Sequence, residues 1–203
     1  MSRSWVRLAA GVVLGMLGAA TLAAAPLSTN HPSFAGQGRP VLVFIDAGFT
    51  PTEQEQIQEA MAEWNRVLNG VARLERVESA NDQRDGVRPW LVRRGAGKDG
   101  IREPGRKDQN LATVQPLPMG GGILIVFAGA GDYLRDRGLT LRDVMMRELG
   151  HLVGLRHATN AELLAKDYEV GDRSCVDRQT AQEVAQALAA PVEALNWCEV
   201  PAR

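Results

Sequence analysis

Val144–His157 reads V-M-M-R-E-L-G-H-L-V-G-L-R-H, and the rest of the chain is organised around it. On a helix, Arg147 and His151 lie one turn apart on one face, with Glu148 beside them. Leu141, Met145, Leu149 and Leu152 recur at helical spacing on the adjoining face, which is expected to pack the helix on a sheet. Gly150 is expected to leave room beside His151. Upstream, Thr140 is placed to cap the helix and Asp143 to favour its N-terminus. Downstream, Gly154 is placed to stop the helix and bend the chain, which then returns His157 towards the same face.

That spacing has a chemical meaning. Two imidazoles at i and i+4 can reach one Zn²⁺, and a glutamate at i+1 leans over the metal to take a proton from bound water. A glycine at i+7 lets the backbone turn so that i+10 supplies a third ligand. Glu148, His151, Gly154 and His157 match the last four fixed positions of H-E-x-x-H-x-x-G-x-x-H. The text E-L-G-H-L-V-G-L-R-H resembles metzincin zinc metalloproteases of the matrixin-like type. The resemblance implies Glu148 as catalytic general base, His151 and His157 as metal ligands, and Gly154 as the helix-ending bend. Two positions depart from it. Arg147 stands where the first histidine ligand belongs, and a guanidinium has no lone pair to donate and is permanently cationic. No methionine follows Met146, so the methionine turn that metzincins carry beneath the metal is missing, with Leu163 or Leu164 the nearest apolar substitute. A replacement third ligand would come from His31, Asp167, Asp172, Tyr168 or water.

Outward from this stretch, Val41–Ile45 and Ile123–Phe127 are continuous apolar runs that predict strands buried on both faces. Thr50-Pro51-Thr52-Glu53 predicts a capped helix start, and Ile57, Ala60, Met61, Trp64 and Leu68 form its apolar stripe up to Gly70. The pattern around Trp64 and Asn65 also resembles the first elements of metzincin domains. Ala72–Glu78 alternates as a half-exposed strand, and Trp90–Val92 and Leu111–Leu117 are further strand candidates. Gly129 and Gly131 predict a loop. Asp177 or Thr180 would cap a final helix, with Ala181, Val184, Ala185 and Leu188 inward and Pro191 at its end. The expectation is an α+β, zincin-like metalloprotease domain over 41–203. A twisted mixed sheet would pack on a long helix and an active-site helix, with a C-terminal helix added. Residues 26–40 would be an N-terminal arm.

The 203 residues suit one domain. Residues 1–25 read as a signal peptide: Arg3 and Arg7 precede the apolar stretch Leu8–Leu17 and a small-residue tract, Ala19–Ala25. The alternative, a retained anchor, is disfavoured because the apolar stretch is short for a spanning helix. Export implies a secreted or periplasmic protein with no membrane association after cleavage. Without those two arginines, the 23 basic residues fall to 21 against 24 acidic ones, which argues against a nucleic-acid partner. In an exported chain, Cys175 and Cys198 read as a disulfide closing a loop of about 22 residues, able to contribute roughly 3 kcal/mol. Two free thiols or a thiolate metal ligand are the alternatives. The segment 84–107 carries eight basic residues against three acids, read either as a solvated loop or as a cationic binding surface.

Three functional expectations follow. The first is a secreted matrixin-like homologue with impaired or lost peptidase activity and a cleft kept for a peptide or protein. The second is a working zinc metalloendopeptidase using His151, His157 and a non-standard third ligand. The third is an envelope or extracellular binding protein acting through its basic loop.

Overall fold

The computed structural model describes residues 40–95, 111–118, 120–155 and 176–199. Five strands form one sheet: β1 (Pro40–Ile45), β2 (Arg73–Val77), β3 (Trp90–Arg94), β4 (Ala112–Pro116) and β5 (Gly122–Val126). Their order is β2-β1-β3-β5-β4. The β1–β2, β1–β3 and β3–β5 pairs are parallel, while β4 runs antiparallel to β5. The sheet is therefore mixed, and with its helices the domain is of the α+β kind. β1 and β5, the two apolar runs, are interior strands as their sequences require. β4 is an edge, which explains how Pro116 can end a paired strand.

Helix α1 (Pro51–Leu68) starts with a complete capping box. The Thr50 hydroxyl accepts from the Glu53 N–H at 3.3 Å, and Glu53 accepts from the Thr50 N–H at 2.9 Å. Its buried stripe is Ile57, Ala60, Met61, Trp64, Val67 and Leu68. The helix ends one residue before the predicted glycine: Asn69 is already left-handed (φ 46°), followed by Gly70 at φ 85°. Asn65 copies a backbone partner for β2. Its amide donates to the Leu74 carbonyl (2.9 Å), and its oxygen accepts from the Leu74 N–H (2.8 Å).

The loop expected at Gly129–Gly131 is instead a short helix, α2 (Ala130–Arg135), anchored by buried Ala130 and Leu134. Its register is set by that apolar pair, which outweighs the helix-weakening glycine at 131. Helix α3 (Leu141–Leu152) follows, then α4 (Arg178–Ala187) and a 3₁₀ turn at Val192–Ala194. Asp177 caps α4 by accepting from the Thr180 N–H at 2.7 Å, while Thr180 itself is buried. The tail is tied to the end of α1: the Asn196 N–H donates to the Val67 carbonyl at 2.8 Å. No helix among the described residues is long and apolar enough to cross a membrane.

Candidate functional site

Helix α3 is positioned from both ends and from its side. Asp143 accepts from both the N–H and the hydroxyl of Thr140, each at 2.7 Å, which fixes the first turn. The Leu141 N–H, one of the donors a helix start leaves unsatisfied, reaches Gln56 Oε1 of α1 at 3.2 Å. In the middle, the Trp64 indole N–H donates to the Met146 carbonyl at 2.7 Å. The chief neighbour of α3 is therefore α1, with β4 also in contact, and not the sheet as a whole as the apolar stripe suggests. Two facing helices can cover each other's stripes and both border the sheet, which periodicity alone does not distinguish.

The end of α3 is a Schellman motif. The Leu155 N–H donates to the Gly150 carbonyl (3.0 Å) and the Gly154 N–H to the His151 carbonyl (3.1 Å). Gly154 sits at φ 99°, where a side chain is strained, and an added Cβ would lie 2.5 Å from that of Ala187 in α4. Gly150 is small for a reason other than space beside His151. A Cβ there would meet Leu155 Cδ1 at 2.8 Å and Trp64 Cζ2 at 3.0 Å. The glycine lets α1 approach and lets Leu155 fold back over the helix end.

That folding back orients His151. Its Nδ1–H donates to the Leu155 carbonyl at 2.8 Å; the acceptor is a carbonyl, so the ring nitrogen must carry the proton. In the neutral ring, the lone pair then sits on Nε2. Burial pushes the His151 pKa down, the Leu155 carbonyl opposes this, and the Arg147 charge pushes it down further. Burial and the guanidinium together favour the neutral imidazole.

Arg147 and Glu148 are 7% and 6% exposed, the two charged residues in the buried set of the described chain. Arg147 Nε lies 3.9 Å from Glu148 Oε1. The structure thus brings Arg147, Glu148 and His151 together on one helix and places Gly154 at its end. His157 lies outside the described residues, as do His31, Leu163, Leu164, Asp167, Tyr168, Asp172 and Cys175. Cys198 runs beside the residue that follows Cys175: its N–H donates to the Val176 carbonyl at 3.0 Å. Of the basic 84–107 segment, residues 84–95 are described. Arg84 pairs with Glu75 at 2.6 Å, and Arg94 pairs with Glu53 while its guanidinium lies over the Phe49 ring. Both arginines are ion-paired within the domain, whereas Arg88 and Arg93 are exposed.

The described donors do not fit a zinc ion. Zinc at this helix needs neutral lone-pair donors; the described chain offers one imidazole, with a fixed cation one turn earlier. Among the described residues, no group of three or more His, Cys, Asp or Glu is arranged to hold a metal. What these residues can do chemically is present a neutral base at Nε2 and a buried ion pair beside it. The sequence reading missed two parts of this site. The Trp64 tie to Met146 spans 82 residues, and no local pattern signals it. The Leu155 carbonyl was accessible in principle, because an apolar residue directly after a helix-ending glycine signals the Schellman motif.

No family model matches the chain, and no curated protein matches it. A solved structure titled "GM1 bound form of the ECX AB5 holotoxin" matches at 18% identity with a TM-score of 0.36. The match covers 59% of this chain and 53% of that one. The chain thus spans about half the length of the chain it matches, and a likeness at that TM-score carries no argument about fold or function.

Proposed function

We propose that this chain is a secreted homologue of the matrixin-like zincins whose peptidase chemistry is impaired or lost, and whose cleft binds a peptide or protein without cutting it. Two kinds of support bear on the family part. The motif residues Glu148, His151 and Gly154 fall on and at the end of one capped helix. The order of elements is the strand, long helix, further strands, site helix and C-terminal helix that the resemblance implies. A fold does not by itself establish an activity, so the functional part rests on the site. The observation that carries it is Arg147, buried beside Glu148 one turn before His151, where the resemblance places a metal ligand.

A partner on this reading lies along β4. That strand pairs with β5 on one side, forms an edge of the sheet and touches α3. An extended peptide can add to such an edge through main-chain hydrogen bonds. Secretion through a signal at residues 1–25 and a Cys175–Cys198 disulfide belong to the same proposal. The hydrogen bond from Cys198 to Val176 supports the second.

The test is zinc content and casein-type hydrolysis of the purified chain, native and Arg147→His. The native chain is expected to show neither stoichiometric zinc nor chelator-sensitive hydrolysis. Stoichiometric zinc together with such hydrolysis in the native chain favours instead a working peptidase with an unorthodox third ligand. Salt-sensitive binding to anionic polymers that is lost with Arg88 and Arg93 would favour the basic-surface reading.

A further inference from the structure

We propose that the Arg147 guanidinium is the resident cation of this centre: a tethered counter-charge to Glu148 that fills the electrostatic role of a divalent ion and keeps such an ion from His151. The inference rests on the family reading above and adds what holds the site together in place of a metal.

Nine of the twelve residues of α3 are buried, Arg147 and Glu148 among them. A charge withdrawn from water is costly unless it is paired. Arginine cannot escape that cost by losing its proton, so it requires an anion nearby. Glu148 is the adjacent residue, and its carboxylate oxygen is 3.9 Å from Arg147 Nε. Water exclusion strengthens the attraction at that distance relative to a surface pair. The same positive charge stands one helical turn before His151, where it disfavours a second positive charge on the ring. A dication bound at Nε2 would meet the same repulsion. The helix thus carries its cation in its own sequence. A glutamate that would lean over a metal in the related motif leans instead on a neighbouring side chain.

The consequence is a fold whose stability is indifferent to metal and dependent on the pairing of two adjacent side chains. The experiment measures thermal unfolding of the full chain, with chelator and with added zinc chloride, for the native protein and three variants. These are Arg147→Met, Arg147→Lys and the double variant Arg147→Met/Glu148→Gln. The native midpoint is expected to stay fixed under both treatments. Arg147→Met, which removes the cation beside a buried carboxylate, should lower the midpoint by roughly 10 °C. Arg147→Lys keeps the charge and should lose less than about half as much. The double variant removes both charges and should recover at least about half of the Arg147→Met loss, because coupled residues are not additive.

A double variant no more stable than Arg147→Met, or a Lys variant as unstable as the Met variant, overturns the inference. If Arg147→Met does not fold at all, cooperative unfolding of the double variant supports the pairing, and its failure to fold as well overturns it. Stoichiometric zinc in the native chain defeats the reading under Proposed function. A zinc-free chain whose double variant recovers none of the Arg147→Met loss defeats only the counter-charge inference.

Discussion

Helices α1 and α3 lie against each other and start with the same device, yet they bury different things. Each opens on a threonine whose N–H is held by an acid three residues later, Glu53 in one and Asp143 in the other. In α1, six of eighteen residues are buried, all apolar, and the charges face out. In α3, nine of twelve are buried, and Arg147 and Glu148 are among them. The first helix is what the hydrophobic effect makes of an amphipathic stripe. The second accepts a cost that apolar residues of similar volume would avoid. The difference teaches that α1 is held by apolar burial alone, whereas α3 also withdraws two charged side chains from water.

The contrast can be broken most severely at the contact between the two helices. Trp64→Ala removes a fully buried indole and its hydrogen bond to Met146, and is expected to cost about 3–5 kcal/mol in denaturant unfolding. Trp64→Phe keeps most of the volume and should cost nearer 1–2 kcal/mol. If the two variants cost the same, the hydrogen bond and not the packing joins the helices.

The charges sharpen the comparison next. α1 carries an exposed ion pair, Arg66 with Glu63 at 2.6 Å, against the buried pair of α3. Arg66→Met should change stability by less than about 0.5 kcal/mol, whereas Arg147→Met should cost about 3 kcal/mol or more. Similar costs at the two positions would mean that burial does not distinguish the pairs.

Much of this arrangement was legible in the sequence. Thr50-Pro51-Thr52-Glu53 announces its helix because a capping box is local chemistry, complete within four residues. The two apolar runs announce interior strands because each has a paired neighbour on both sides, although Ile123 and Ile125 put one face of β5 only half under cover. Parallel or antiparallel pairing was not legible, since β4 meets β5 through contacts that neither strand encodes alone. The short helix α2 was hidden by its glycines, and its anchor, Leu134, acts only through the packed core. At the site, Arg147 reads from sequence as a lost ligand. That it is buried next to Glu148, and that His151 leans on Leu155, needed the third dimension.

Gly150 is the smaller lever on the same contact. Gly150→Ala pushes a methyl against Leu155 and Trp64 and should cost about 1–3 kcal/mol. It should also loosen the Leu155 carbonyl from His151, visible as a change in the imidazole NMR signals. An alanine variant as stable as the native chain, with His151 unchanged, would show that the helix end has slack.

The smallest effect is a pH dependence at His151. Its pKa in the fold lies below the ordinary value of about 6.5, first because of burial and also because of Arg147. Between the two values the unfolded chain binds the proton more readily. The stabilising contribution of the neutral ring is therefore fully present above pH 6.5 and is lost as pH falls through the folded value. An NMR titration of the native chain should give a midpoint below 6.5, and Arg147→Met should raise it. A native midpoint above 6.5 would show that the ring is neither desolvated nor opposed by the guanidinium.

The most direct test of the central claim, that a tethered cation has replaced a metal here, is elemental analysis of the full chain. The protein is loaded with excess zinc, dialysed without chelator and measured by mass spectrometry beside Arg147→His prepared in parallel. The account predicts no stoichiometric zinc in the native chain and a gain of bound zinc when the histidine is restored. Stoichiometric zinc retained by the native chain contradicts it.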